Sequence, residues 1–174
     1  MLETTRYEVE KRLLGSLALS GGLAAFAAMM ALLAPGLLGE VDMAALAEQL
    51  PAAFVAAFDL EQMGTMDGFL AIELYQFLWL VGLGAYLAYV AGGAVAGDIE
   101  TGRMDTLLAA PISRERLVVE NYLAMLSPII LANVAVFGAV FATTRLVSEP
   151  IAAADLLAVH ALSVPYFLCC GAFG

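Results

Sequence analysis

The sequence has few basic residues and almost no lysine. It contains seven Lys and Arg residues against 17 Asp and Glu residues, which gives a formal charge of −10, and Lys11 is its only lysine. Proteins that bind nucleic acid need a basic surface to neutralise phosphates, so this composition excludes that class. An acidic, lysine-poor composition is halophile-like, and we take it as a hypothesis that the chain comes from a high-salt cytoplasm.

Charged residues of either sign are scarce. Only 14% of the residues are charged and 63% are hydrophobic, with a mean hydropathy of +0.91. Soluble domains contain about 25% charged and about 45 to 50% apolar residues. The chain is therefore predicted to be an integral membrane protein.

The sequence also lacks the common catalytic motifs. It has no phosphate-binding loop, no His-Glu-x-x-His, no Gly-x-Ser-x-Gly and no Cys-x-x-Cys. Its two cysteines, Cys169 and Cys170, are adjacent in an apolar segment and do not have metal-ligand spacing. We predict no catalytic, cofactor-binding or metal site, and a chain that cannot use ATP by itself is not expected to be an enzyme.

Long apolar runs predict an all-α, polytopic transmembrane helix bundle with about four spans, because a helix needs about 20 apolar residues to cross a membrane. A cleaved signal peptide is the alternative for the first run, but the run is too long and the residues before it are too acidic. The predicted segments are a cytoplasmic interfacial helix (1–12), span 1 (13–34), an outer loop with an amphipathic helix (39–68), span 2 (69–96), a cytoplasmic loop (98–120), span 3 (122–144), an outer loop (146–155) and span 4 (156–174).

The basic residues predict the orientation. The segment from Gly39 to Gly68 contains six acidic residues and no Lys or Arg, whereas six of the seven basic residues lie in 1–12 and 98–120. Positive charge is retained in the cytoplasm, so the N-terminus is predicted to be cytoplasmic. The exception, Arg145, is predicted to lie outside.

Three further patterns concern helix faces. Leu46, Leu50, Phe54 and Phe58 recur every four residues and predict an amphipathic helix that Asp42 caps, lying on the outer leaflet or over the bundle. An aromatic cluster is typical of the membrane–water boundary and comprises Phe69, Tyr75, Phe77 and Trp79. A stripe of small residues predicts close helix packing and comprises Gly84, Ala88, Ala91, Val95 and the pair Gly93 and Gly97.

Three polar residues within the spans are candidate intramembrane sites: Glu73, Asn133 and His160. Glu73 lies about one turn inside its span, where it either has a function or extends to the outer interface. Asn133 is predicted to hydrogen-bond to another helix, with substrate contact as the alternative. For His160, a proton or metal role competes with a structural one.

The charged loop after span 2 carries the most specific pattern. It contains Glu100, Gly102, Asp105, a leucine pair at Leu107 and Leu108, and the run Pro111-Ile112-Ser113-Arg114. Pro111 ends one helix and Ser113 is placed to cap the next. In this order and spacing the loop resembles that of ABC-2-type ABC transporter permeases. Arg103 and Glu120-Asn121 stand where the family usually has a threonine and a Gly-Lys pair.

The resemblance implies a function and partners. It implies the membrane-spanning permease subunit of an ABC-type export transporter in the cell membrane, in which this loop couples ATP hydrolysis by a separate ATP-binding subunit to substrate movement. It also implies a second permease subunit, as a homodimer or heterodimer. Because the family typically has six spans, the chain is expected to be a fragment, a truncated product or a reduced version. The alternatives are an ion- or proton-coupled carrier that uses Glu73 and His160, and a non-transporting membrane scaffold.

Overall fold

The computed structural model describes residues 3–40, 45, 48–58, 62–100, 102 and 113–173, and these residues form helices and short connections with no strand among them. The helices are α1 (Glu3–Glu40), α2 (Ala52–Phe58), a 3₁₀-helix (Gln62–Gly64), α3 (Met66–Leu70), a π-helix (Ala71–Leu83), α4 (Gly84–Glu100), α5 (Arg114–Ala124), α6 (Leu126–Leu146) and α7 (Ala153–Phe173).

Four stretches of helix in this part of the chain are long and apolar enough to cross a membrane: Leu13–Glu40, Met66–Gly93, Val118–Leu146 and Ala153–Phe173. We call them the first to fourth spans. The predicted all-α polytopic bundle is therefore confirmed. The third span contains a break at Met125, where α5 ends and α6 begins, shortly before Pro128. The missing amide hydrogen of proline accounts for a helix interruption at this position.

Contacts at the two ends of the bundle show that the third span runs antiparallel to the fourth, while the second span runs parallel to the fourth. At one end, the Tyr122 hydroxyl donates a hydrogen bond of 2.7 Å to the carbonyl of Leu168, so the start of the third span lies beside the end of the fourth. At the other end, Tyr75 near the start of the second span contacts His160 near the start of the fourth.

The centre of the bundle is formed mainly by α1 packing against α6. Ala27, Ala31 and Ala34 on α1 are fully buried, and so are Val136 and Val140 on α6. Alanines spaced by four and three residues share one face of a helix, and their small side chains let the two backbones approach closely.

The first helix differs from the predicted arrangement of an interfacial helix followed by a span. The structure has one continuous helix from Glu3 to Glu40, because no proline or glycine precedes Gly15. Its 38 residues extend to about 57 Å, at 1.5 Å per residue. A hydrocarbon core is about 30 Å thick, so this helix is longer than the membrane core.

The predicted amphipathic helix of the outer loop is described only in part. The helix α2 covers Ala52–Phe58, with Phe54 exposed and the preceding Leu50 half-buried. Leu46, Asp42 and the side chain of Phe58 lie outside the described residues.

The predicted stripe of small residues packs against the bundle at Gly84, which is buried, and at Ala91, which contacts the core. A side-chain carbon on Gly84 would approach Cys170 Sγ to 3.3 Å, so α4 and α7 lie close together there. The same atom on Gly93 would meet no described atom within 4 Å.

Candidate functional site

Four polar side chains meet in the interior of the bundle: Tyr75, Asn133, His160 and Ser163. We call them the intramembrane polar network. The Tyr75 hydroxyl lies 3.1 Å from His160 Nε2, and His160 Nδ1 lies 3.0 Å from Asn133 Oδ1. The Ser163 hydroxyl lies 2.9 Å from the same Asn133 oxygen and 2.9 Å from the carbonyl of His160. The network therefore joins the second, third and fourth spans.

The hydrogen bonds determine which histidine nitrogen carries the proton. The Asn133 amide nitrogen donates to the carbonyl of Ile129 at 2.8 Å, so the Asn133 oxygen is the atom that faces His160. This oxygen only accepts, and His160 Nδ1 must therefore donate to it. In a neutral ring Nε2 is then the acceptor, and the Tyr75 hydroxyl donates to it. The geometry fits a neutral histidine protonated at Nδ1.

Aromatic rings enclose this histidine. The ring centres of Trp79, Tyr75 and Phe137 lie 5.1, 5.6 and 5.7 Å from that of His160. Phe167 packs on Trp79 at 5.4 Å, and His160, Trp79 and Phe167 are each at least 96% buried. Hydrogen bonds in such apolar surroundings are costly to leave unmade, so the network holds its members in one arrangement.

Trp79 and Phe69, two members of the predicted aromatic cluster, are core residues of the bundle. Trp79 is 1% exposed and Phe69 is 8% exposed, while Phe77 alone of the four is well exposed. The reason is the π-helix over Ala71–Leu83, whose hydrogen bonds run from i to i+5 and bring Tyr75 and Trp79 to the inner face. The indole N–H of Trp79 has no acceptor among the described residues.

The structure brings together two of the three predicted intramembrane residues. Asn133 and His160 form the centre of the network, while Glu73 is exposed and takes no part in it. The sequence analysis missed Tyr75 and Ser163 as members. Ser163 had a usable signal, because it follows His160 by three residues and shares its helix face. Tyr75 had none, since its position depends on the π-helix.

The predicted coupling loop is described only at its two ends. Glu100 is exposed at the end of α4, and Gly102 has a φ of 68°, a conformation that favours glycine at a helix end. Ser113 caps α5, because its hydroxyl accepts a hydrogen bond of 3.3 Å from the backbone N–H of Arg116. Arg114 is the first residue of α5. The structure does not describe the side chain of Arg114, nor any part of Asp105, Leu107, Leu108 and Pro111.

The polar pair that departs from the family pattern turns inward. Glu120 is 3% exposed and Asn121 is 8% exposed. The Glu120 carboxylate accepts a hydrogen bond of 2.7 Å from Arg116 Nε, one helical turn earlier. A buried carboxylate needs such a partner, and here the partner belongs to the same helix.

A cavity of about 150 Å³ lies near the end of the bundle at which α1 begins. Its lining is mostly apolar and consists of Gly15, Ser16, Tyr86, Leu87, Val90, Met125 and Pro128. It is separate from the intramembrane polar network.

The described residues contain no group of three or more His, Cys, Asp or Glu side chains that would hold a metal ion. The network itself offers one imidazole and neutral oxygens, a weak set of ligands for a transition metal. Cys169 is exposed, Cys170 is half-buried, and both are free thiols.

Comparison with known protein families identifies the chain. The family model described as ABC-2 family transporter protein matches residues 12–174, which include all four spans. The chain belongs to the ABC-2 transporter family. Neither a curated protein nor a solved structure matches it. This ABC-2 permease is accordingly a multi-pass membrane protein of a family of transporter membrane subunits.

Proposed function

We propose that this ABC-2 permease is the membrane-spanning subunit of an exporter in the cell membrane, and that it couples ATP hydrolysis by a separate ATP-binding subunit to substrate movement. The family match over residues 12–174 is the observation that carries the proposal. The sequence contains no phosphate-binding loop, so ATP is used through the partner. A second permease subunit, identical or different, completes the transporter.

The loop between the second and third spans is the proposed docking site for the ATP-binding subunit. At the two described ends of the loop, the backbone N–H of Gly102 donates a hydrogen bond to the carbonyl of Ile99, and the Ser113 hydroxyl caps the following helix. Between them the sequence places Leu107 and Leu108 among charged residues. Such an apolar pair at an aqueous surface favours burial against a partner. The alternative is that the leucines enter the inner leaflet.

The test is a double substitution, Leu107→Asp with Leu108→Asp, in the permease expressed with its proposed ATP-binding subunit. Because the apolar contact is lost, we expect the variant to insert into the membrane but to lose copurification of the ATPase and its stimulation by substrate. The matched control is Leu146→Asp, an exposed leucine at the opposite end of the bundle, which should retain both. Wild-type copurification and stimulation in the double variant would refute the coupling role.

The same assay addresses the two other functions considered. A scaffold would show no substrate-dependent stimulation even in the wild type. A carrier driven by an ion gradient would transport without the ATPase. A carrier that uses Glu73 together with His160 is not favoured, because Glu73 is exposed and lies outside the intramembrane polar network.

A further inference from the structure

His160 is the only histidine of the chain, and both of its ring nitrogens are engaged inside the bundle. It lies seven residues after Ala153, the first residue of the fourth span. At 1.5 Å per residue this corresponds to about 10 Å from that end of the helix. The ring is therefore within the span but close to one membrane surface.

The hydrogen bonds of His160 depend on its protonation. In the neutral ring, Nδ1 donates to Asn133 and Nε2 accepts from the hydroxyl of Tyr75. A second proton would bind at Nε2, which would then no longer accept. The Tyr75 hydroxyl would have to turn away and lose its acceptor in surroundings made of aromatic rings. A buried donor without an acceptor is unfavourable, so a protonated ring and the observed Tyr75 contact oppose each other.

We propose that His160 is a proton-binding site, and that proton binding there weakens the contact through which Tyr75 holds the second span against the fourth. The proton comes from bulk water. This inference goes beyond the proposed transport function and does not depend on it.

Few other charges act on His160 within the described part of the chain. Tyr75 is the one titratable side chain that touches its ring. Glu73 and Asp155 lie on the second and fourth spans and are exposed. On the third span, Arg145 is exposed, and its guanidinium carbon lies 4.1 Å from the ring centre of Phe141. The first span has no ionisable residue between Leu13 and Gly39.

The fluorescence of Trp79 can report the protonation of His160. Trp79 is its only tryptophan, and its ring centre lies 5.1 Å from that of His160. An imidazolium ring quenches indole fluorescence more strongly than a neutral imidazole does. In the permease in lipid nanodiscs, we expect Trp79 emission to fall along a one-proton curve as the pH is lowered from neutral into the acidic range, because histidine is the side chain that gains a proton there.

Two variants test whether His160 is the group whose protonation changes the Trp79 emission. His160→Gln retains a donor and an acceptor but cannot take up a proton, so its emission should not change with pH. Glu73→Gln, the matched control on the second span, should keep the wild-type curve. A flat wild-type curve would refute the inference, and so would a curve that persists in His160→Gln or disappears in Glu73→Gln.

A second measurement needs no substitution. Because His160 is the only histidine, nitrogen NMR of the permease labelled with ¹⁵N-histidine observes this ring alone. We expect a proton on Nδ1 only at neutral pH and on both nitrogens at acidic pH. A proton on Nε2 only, or a ring that stays neutral throughout, would refute the proposal.

The weakening of the Tyr75 contact is tested with Tyr75→Phe. At neutral pH, loss of the hydrogen bond should lower Tm by about 2 to 4 °C, the shift expected for a typical single hydrogen bond in a chain of this size. At acidic pH the wild type has already lost this bond, so the substitution should lower Tm less. Equal shifts at both pH values would show that protonation leaves the contact intact.

Discussion

At the scale of single residues, Asn133 is the centre of the intramembrane polar network. Its oxygen lies within hydrogen-bonding distance of donors on His160 and Ser163, while its amide nitrogen is bound to its own helix at Ile129. All of these groups are buried. An apolar side chain at this position would therefore leave the His160 N–H without an acceptor.

We expect Asn133→Val to destabilise the permease by about 1 to 2 kcal/mol, because it leaves a buried donor without a partner. The matched control is Thr144→Val on the same helix. The Thr144 hydroxyl is also buried but bonds only to the carbonyl of Val140 in its own helix. Its replacement should cost less, since no other span loses a contact. Thermal unfolding in detergent measures both, and equal losses would show that the bond between spans contributes nothing.

The sequence identified some of these residues but not their partners. Asn133 and His160 were candidates because polar groups in spans are unusual, and that signal is local. Their contact joins the third and fourth spans and depends on how the helices are rotated. Glu73 carried the same local signal and yet faces outward. A polar residue within a span is therefore a candidate site, but its polarity does not show whether its side chain is buried in a network or exposed.

At the scale of elements, the π-helix decides which face of the second span is buried. From Leu70 onwards, the large buried side chains of this span are spaced by four, five, four and four positions: Leu70, Leu74, Trp79, Leu83 and Leu87. The step of five follows from the i to i+5 hydrogen bonds. A regular α-helical period does not contain this step, which is why the sequence did not indicate that Trp79 faces the core.

Close packing of the second span on the fourth leads to a cross-linking prediction. A Cβ atom on Gly84 would lie 3.3 Å from Cys170 Sγ, close to the separation of these atoms in a disulfide. We expect Gly84→Cys to form a disulfide with the native Cys170 under mild oxidation. Proteolysis between the two spans, followed by non-reducing electrophoresis, detects it.

The matched control for this cross-link is Gly93→Cys on the same helix, α4. A Cβ atom there has no neighbour within 4 Å and should remain a free thiol. Cys170→Ala should abolish the cross-link of Gly84→Cys. Failure of Gly84→Cys to cross-link, or equal cross-linking in Gly93→Cys, would contradict the observed packing of α4 on α7.

At the scale of the whole molecule, the all-α bundle was predictable because it depends on hydropathy summed over long segments. Such sums do not require knowledge of which helix faces meet. The network and the packing of α4 on α7 depend on rotations and distances between helices, and no local pattern specifies these. The capping of α5 by Ser113 was also predictable, because a cap is a contact within four residues of sequence.

Topology is the last prediction and concerns the whole chain. The antiparallel spans place Glu115 and Ala152 at opposite ends of the bundle. Most basic residues accompany the end at Glu115, so that end is predicted to be cytoplasmic. Both residues are exposed, and neither uses its side chain to cap a helix as Thr65 and Ser113 do. With Cys169 and Cys170 replaced by alanine, Ala152→Cys should react with a membrane-impermeant thiol reagent in intact cells. Glu115→Cys should react only after permeabilisation. The reverse pattern would invert the topology and move the loop that begins at Glu100 away from any cytoplasmic ATPase.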